Sequence, residues 1–225
     1  HLVTAGTAGA ANAPYRQEGV GKWANTSNAI NEIKLDNKNA SNTFDTGSEV
    51  VVLGWDPADT HTTNFWEELA SVDLSGGAAT TLSTGTFTTK KYLWIQVWCK
   101  RSSVTAATEF TMGNGTLDTG NNYCDRYNVN GGTDVTTTSY DNFSGHSTVA
   151  GSEMYNMFII NNASNEKLIM AHMVGNNGTG AGNAPRRNEI IGKWTNTSNQ
   201  LNIFQLDGGG DNFDTETIIK VWGSD

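Results

Sequence analysis

The sequence predicts an all-β protein, an antiparallel β-sandwich of the jelly-roll-like kind, and three observations support this prediction. Thr, Asn, Gly and Ser together make up 95 of the 225 residues, whereas only 3 residues are Pro and 16% are charged. β-Branched and aromatic residues recur in short runs, and polar turns separate these runs. This composition is typical of strands joined by many turns, and it argues against a helical bundle, a coiled coil or an acidic disordered tail.

Short apolar runs define eleven predicted strands. Those from Leu69 onward fall within about 155 residues, which is the close spacing of a sandwich or jelly roll. Gly76-Gly77, Gly131-Gly132 and similar pairs supply the positive φ angles that tight turns need. The predicted strands are Val50–Leu53, Leu69–Leu74, Thr84–Thr88, Tyr92–Lys100, Glu109–Met112, Asn122–Tyr127, Met154–Asn161, Lys167–Val174, Ile190–Trp194, Leu201–Leu206 and Ile218–Trp222.

One short helix is predicted from Asn64 to about Leu69. Asn64 can cap its N-terminus, and Glu67 stands three residues later, as in a capping box. The helix follows Asp56-Pro57-Ala58-Asp59, which has the composition of a linker.

The strongest feature of the sequence is an internal repeat, in which residues 1–36 align without a gap on residues 172–207. Nineteen of these 36 positions are identical, among them Asn12-Ala13-Pro14 with Asn183-Ala184-Pro185 and Gly21-Lys22-Trp23 with Gly192-Lys193-Trp194. After a length change in the loop, residues 44–55 match residues 213–222. Residues 57–171 have no second copy in the chain. The pattern predicts a duplication.

The repeat predicts the domain organisation. Residues 1–56 form a partial sandwich repeat that matches 172–223, residues 57–63 form a linker, and residues 64–225 form a complete sandwich. We expect 1–56 to be the last third of a preceding unit and to reproduce the fold of 172–223. Its missing neighbours would then be supplied by upstream residues or by borrowed strands. The alternative is that 1–56 packs as extra strands on the complete domain.

Cys99 and Cys124 are too few to build a disulfide scaffold. Alternation along Tyr92–Lys100 places Cys99 on the same side as Leu93, Ile95 and Val97, so we expect a buried free thiol. A cross-strand disulfide with Cys124 is the alternative.

Charge and hydropathy exclude two classes of partner. The net charge of −9 opposes extended contact with a phosphate backbone, so no nucleic-acid partner is expected. No apolar run approaches the ~18 residues of a membrane span, so no membrane insertion is expected.

The tryptophans supply the candidate ligand-binding residues. Trp23, Trp55, Trp194 and Trp222 occupy matching positions of the repeat, which favours core or intersheet packing. Trp94 and Trp98 lie on one strand face with Gln96 and Lys100, and this mixed face indicates partial exposure. Because indole faces stack on flat or apolar groups such as sugar rings, we predict that Trp94, Gln96 and Trp98 bind ligand.

No cofactor, metal site or catalytic residue is predicted. The acidic loops at Asp207–Asp214 and Asp36–Asp45 offer oxygen ligands for a structural Ca²⁺, but their spacing is not that of an EF-hand, and solvated turns are the default. Asp56, Asp59 and His61 lack an identifiable fourth ligand for a transition metal. Nucleophile, phosphate-loop and dinucleotide motifs are missing, and the adjacent Glu67 and Glu68 do not suit glycoside hydrolysis. We therefore expect a protein without enzymatic activity.

Several segments resemble a family of uncharacterised structural proteins of marine tailed bacteriophages. They are Gly180–Ser198 with its looser copy Gly9–Ser27, the closing segment 44–55 with its counterpart ending at Gly223, Phe158–Asn162, Glu166–Leu168 and Lys91–Val97. The resemblance implies tandem jelly-roll-like domains on the virion surface, in a tail or head fibre or a capsid decoration, in contact with other virion proteins. The second copy lacks a counterpart of Gly47-Ser48, so its closing turn is expected to differ.

The resemblance implies a homo-oligomer, and a fibre would favour a trimer. Contact with host-surface glycans through the Trp94 face is compatible with this function. The alternative function is that of a carbohydrate-binding or adhesin module of a cellular extracellular protein.

Overall fold

The computed structural model describes residues 2–19, 21–36, 43–52, 65–148 and 150–225, and within them the chain is all-β. The predicted antiparallel β-sandwich is therefore confirmed, while its jelly-roll-like detail stays a prediction. No helix in these residues has the length and apolarity needed to cross a membrane.

The strands of the described residues form three antiparallel sheets. Their bounds are β1 Leu2–Thr4, β2 Tyr15–Gln17, β3 Glu67–Asp73, β4 Thr81–Thr86, β5 Tyr92–Arg101, β6 Glu109–Asn114, β7 Thr116–Leu117, β8 Tyr123–Val129, β9 Val135–Tyr140, β10 Phe143–Ser144, β11 Gly151–Ile160, β12 Lys167–Gly175, β13 Arg186–Trp194, β14 Ile203–Asp207 and β15 Ile218–Ser224. The large sheet has eight strands in the order β3-β15-β5-β11-β12-β13-β8-β9, a smaller sheet has the order β10-β6-β14-β4 with β7 beside β6, and β1 pairs with β2.

The core lies between the large sheet and the smaller one. Strict alternation along β5 and β11 sends every second side chain inward, where Ile95 and Met157 are fully buried. Phe110 and Phe204 of the smaller sheet stack with ring centroids 5.5 Å apart and face these side chains across the core. Burial of this apolar area provides the main stabilisation of the fold. All members of the core cluster lie between Leu74 and Val221.

Two predicted elements are wrong. The segment predicted as a helix up to Leu69 contains the first part of β3, because its alternating side chains pair with the edge of β15. Asn64, the predicted cap, lies outside the described residues. Val50–Val52 form no strand and are exposed, and Leu53 lies outside the described residues. The prediction missed β9, whose Thr-rich sequence lacks an apolar face, and the short strands β7 and β10, whereas the expected copy of 172–223 includes β1 and β2.

The chain divides into two compact units, one formed by His1–Glu18 with Phe65–Asp225 and the other by Gly19–Asn64. The division differs from the predicted boundaries, because residues 2–18 belong to the unit that contains the complete sandwich. In the second unit, the described residues 19, 21–36 and 43–52 contain no strand. Asn25 and Asp45 accept turn hydrogen bonds there, as the matching Asn196 and Asp214 do in the sandwich.

Residues 2–18 form a hairpin, which we call the first hairpin. Its register pairs Leu2 with Gln17, and the matching residues Met173 and Asn188 are paired in the same way between β12 and β13. The tips also agree, since Asn12 N donates to Gly9 O at 3.1 Å and Asn183 N donates to Gly180 O at 3.2 Å. The matched sequences therefore form the same hairpin twice. We call residues 173–189 the second hairpin.

Cys99 and Cys124 are free and buried, so the predicted free thiol of Cys99 is confirmed. Burial raises the pKa of Cys99 well above its usual range and raises that of Cys124 to about 12. Both thiols are consequently poor nucleophiles in the folded protein.

Candidate binding face on the outer side of the large sheet

The predicted ligand-binding residues Trp94, Gln96 and Trp98 lie together on the outer face of the large sheet, the face that points away from the core. Alternation along β5 places them there, because the intervening Ile95 and Val97 are fully buried. Trp98 is 41% exposed, whereas Trp94 and Gln96 are half-buried. Lys100 ends the row and forms ion pairs with Glu216 at 3.2 Å and Asp214 at 3.4 Å.

Neighbouring strands surround Trp94 with an aromatic patch, which we define as Phe65, Trp66, Trp94, Phe158 and Trp222. Trp94 stacks on Phe158 at 5.8 Å between ring centroids and contacts Trp66 at 6.0 Å and Trp222 at 6.3 Å. Its indole N–H donates to Asn156 Oδ1 on β11. These contacts fix the ring of Trp94. Trp98 is therefore the more accessible indole of the two.

Cross-strand register arranges the outer face in three parallel rows. A polar row runs through Lys220, Gln96, Asn156 and His172 on successive strands. An aromatic row on one side contains Trp222, Trp94 and Phe158, and an apolar row on the other side contains Ile218, Trp98, Met154 and Val174. Stacking surfaces thus flank hydrogen-bonding groups, which is the combination that recognises a sugar ring.

The four tryptophans of the repeat do not share one role. Trp194 is buried as predicted at 1% exposure, and its indole N–H donates to Asp118 Oδ2 at 2.8 Å. Trp222 is not in the core: Ile219 and Val221 point inward, so Trp222 faces outward and packs in the aromatic patch. Trp23 is 51% exposed, because the described residues of its unit form no strands that could cover it as Trp194 is covered. Trp55 lies outside the described residues.

A buried polar cluster lies at the end of β5 and β11, and sequence reasoning missed it. Glu153 accepts hydrogen bonds from the hydroxyls of Thr108 at 2.9 Å, Tyr155 at 3.0 Å and Ser147, and its Oε1 lies 3.5 Å from Nη2 of Arg101. Arg101 and Glu153 are 1% and 2% exposed. Because the cluster is sealed from solvent, it is suited to fixing the two strands and not to turnover.

His146 and Asp125 form a second polar pair. The Nε2 atom of His146 lies 3.0 Å from both carboxylate oxygens of Asp125, and the ring stacks on Tyr127. The hydroxyl of Ser144 accepts from the backbone N–H of His146 and makes no contact with the ring among the described hydrogen bonds. The pair is therefore not arranged as a nucleophile with its general base.

In the acidic loop Asp207–Asp214, which was considered for Ca²⁺, the aspartates accept hydrogen bonds from nearby backbone N–H groups. Asp211 accepts from the backbone N–H groups of Thr105 at 2.5 Å and Ala106 at 3.3 Å, and the Thr105 bond is the main reason that its pKa lies below the usual value. Within the described ranges, no group of three or more His, Cys, Asp or Glu residues could hold a metal ion. Asp56, Asp59, His61 and residues 37–42 lie outside those ranges.

The sandwich also has a polar hollow. Its lining includes Asn114, Thr116, Asp118, Trp194, Asn196 and Asn199. Asp118 is occupied there by donors from Gly120, Asn122 and Trp194. The hollow therefore presents mainly amide groups.

Comparisons of the chain with protein-family models, curated proteins and solved structures found no match. The geometry of the outer face is thus the basis for a functional assignment, together with the repeat and the resemblance noted above.

Proposed function

We propose that the chain is a non-enzymatic structural protein of a virion, in a tail or head fibre or a capsid decoration. The observation that carries the proposal is the pair of equal hairpins, one of which packs against the complete sandwich. Repeated units that pack on one another suit multivalent display, in which avidity compensates for weak single contacts. The resemblance to phage structural proteins supports the same function, with the virion surface as location and other virion proteins as partners.

Immunogold electron microscopy tests this function. Antibodies against the chain should label appendages or capsids of tailed particles in the viral fraction of the source material. Gold confined to the envelope of uninfected cells would contradict it.

A fibre is proposed to be a homotrimer, since three parallel subunits form a closed cyclic assembly. Sedimentation of native material should then give three times the monomer mass, and a monomer would contradict the trimer.

A second function, recognition of surface glycans, is favoured by the three rows of the outer face. Trp98 offers an exposed indole, and Gln96, Asn156 and Lys220 offer donors and acceptors beside it. A fibre can carry such a site, so the two functions are compatible. The alternative is a carbohydrate-binding or adhesin module of a cellular protein, and the immunogold experiment distinguishes these locations.

Glycan-array binding tests the face. We expect Trp98→Ala to lower the affinity for a bound glycan about two- to tenfold, because a stacking contact of about 0.5 to 1.5 kcal/mol is lost. The matched control is Tyr140→Ala on β9, an aromatic residue of similar exposure outside the three rows. Equal binding by wild type and Trp98→Ala, or equal loss in both variants, would contradict the assignment.

A further inference from the structure

The first hairpin covers part of the outer face of the large sheet, on the side of β13 and β8. We call the covered area the docking face and define it by Cys124, Arg126, Asp134, Glu166, Glu189 and Lys193. Lys193 donates to the carbonyl of Thr7 at 2.9 Å and to Glu166 at 2.9 Å, and the other oxygen of Glu166 accepts from Gly9 N at 2.7 Å. Lys193 is fully buried as a result.

Further contacts extend along the hairpin. Arg126 donates to the carbonyl of Pro14 at 3.1 Å, and the Cys124 thiol lies 3.3 Å from the carbonyl of Asn12. The guanidinium of Arg16 binds Glu189 at 2.9 Å and Asp134 at 2.9 Å. The docking face therefore binds the backbone carbonyls of the first hairpin and one arginine side chain. The second hairpin has the same backbone register and also carries an arginine at the matching position.

The second hairpin keeps the residues that docking shields. Seven positions of the first hairpin are buried or half-buried, and six of them are identical in the second hairpin, whereas only two of its ten exposed positions are identical. The six shielded and identical pairs are Val3/Val174, Gly9/Gly180, Ala10/Ala181, Ala13/Ala184, Pro14/Pro185 and Arg16/Arg187.

In the second hairpin these same residues are exposed. Pro14 is buried but Pro185 is exposed. The guanidinium of Arg187 forms an ion pair with Glu189 of its own hairpin at 3.5 Å, as the guanidinium of Arg16 does with Glu18 at 3.2 Å. The turn geometry explains Gly180, whose φ is +86°. The turn geometry does not require the other identical residues, Ala181, Ala184, Pro185 and Arg187. An unused docking surface explains why all of these residues are the same as in the first hairpin.

We propose that the tip of the second hairpin, residues 176–187, is an interaction surface whose partner is a second copy of the sandwich unit, bound through the docking face of that copy. The contacts would repeat those of residues 2–18, with Arg187 placed between Glu189 and Asp134 of the second copy. Such an interface is heterologous, because hairpin and docking face are different surfaces, and repeated use of it builds an open row of units. The row can form only where a docking face is free of its first hairpin.

Matched pairs of substitutions in the full chain test the proposal. Gly9→Pro with Arg16→Glu removes the N–H that binds Glu166, forbids the φ of +94° at the tip and reverses the charge that meets Glu189. Gly180→Pro with Arg187→Glu makes the same changes in the second hairpin. None of the four residues belongs to the core cluster, so the sandwich should remain folded.

Two measurements report the outcome. Alkylation of Cys124, followed by peptide mass spectrometry, reports whether the docking face is free, while the core residue Cys99 reports intact folding. Sedimentation velocity reports association. At concentrations too low for association, we expect the Gly9/Arg16 variant to alkylate at Cys124 at least about tenfold faster than wild type. As its concentration rises, it should form larger species, in which a second hairpin protects Cys124 again. The variant that carries all four substitutions, the four-fold variant, should alkylate at Cys124 as fast as the Gly9/Arg16 variant but form no larger species. The Gly180/Arg187 variant should match wild type in both measurements.

Four results would overturn the proposal. The first is a freed Cys124 without association in the Gly9/Arg16 variant, and the second is association that persists in the four-fold variant. The third is a Cys124 that stays as protected as in wild type, because docking would then not depend on the contacts that the two hairpins share. Fast alkylation of Cys99 as well would mean that the docked hairpin is needed for folding, which contradicts an exchangeable interface.

Discussion

Trp194→Ala should lower the free energy of unfolding of the sandwich by about 3 to 5 kcal/mol, the cost of removing a large buried aromatic side chain. The indole is 1% exposed, donates to Asp118 at 2.8 Å and lies under the ammonium group of Lys167 at 5.6 Å. The substitution therefore opens a cavity and also leaves Asp118 without one of its donors. Chemical denaturation followed by circular dichroism measures the change.

The repeat provides the control for this prediction. Trp23 stands in the same Gly-Lys-Trp sequence but is 51% exposed, so Trp23→Ala should change the free energy of unfolding by no more than about 0.5 kcal/mol. Equal losses in the two variants would show that both copies of the motif are packing anchors, contrary to the structure. A wild-type midpoint for Trp194→Ala would contradict its place in the core.

The second large effect is expected at the buried polar cluster, where Glu153→Gln should cost about 3 to 5 kcal/mol of stability. The substitution removes the carboxylate beside Arg101 and leaves a buried guanidinium uncompensated, which is the costly way to break a buried ion pair. It also replaces an oxygen that accepts hydroxyl donors by an amide nitrogen. Thermal and denaturant unfolding should both show the loss.

A surface ion pair is the matched control. Lys220 binds Glu68 at 2.9 Å, but both side chains are more than one-third exposed, so Glu68→Gln should cost no more than about 1 kcal/mol. Equal effects at the two sites would indicate that the buried cluster is not a structural ion pair.

The sequence predicted those parts of the fold that depend on local alternation. In β5 the pattern of Leu93, Ile95, Val97 and Cys99 identified the inward face and placed Trp94, Gln96 and Trp98 together on the other. The same alternation at Ile219 and Val221 turns Trp222 outward, although its matched position in the repeat favours packing in the core. Repetition of a sequence did not fix the surroundings of its residues, as Trp23 and Trp194 show.

Features that depend on pairing between distant strands could not be predicted. Asn156, Phe158 and Lys220 join the candidate face only because β11 and β15 flank β5 in a particular register. The cluster of Arg101, Glu153, Ser147 and Thr108 combines four segments whose spacing carries no signal. At residues 64–69 the capping pattern favoured a helix, but pairing with β15 is available there and provides more hydrogen bonds than a single isolated turn.

A low-resolution electron-microscopy map of the native assembly tests most directly the claim that this chain is a structural module built to pack on copies of itself. We expect a particle made of repeating sandwich units, in which each docking face holds a hairpin, either the first hairpin of its own chain or the second hairpin of a neighbouring copy. Isolated sandwiches without neighbours of the same kind, in native material that contains every partner, would contradict it.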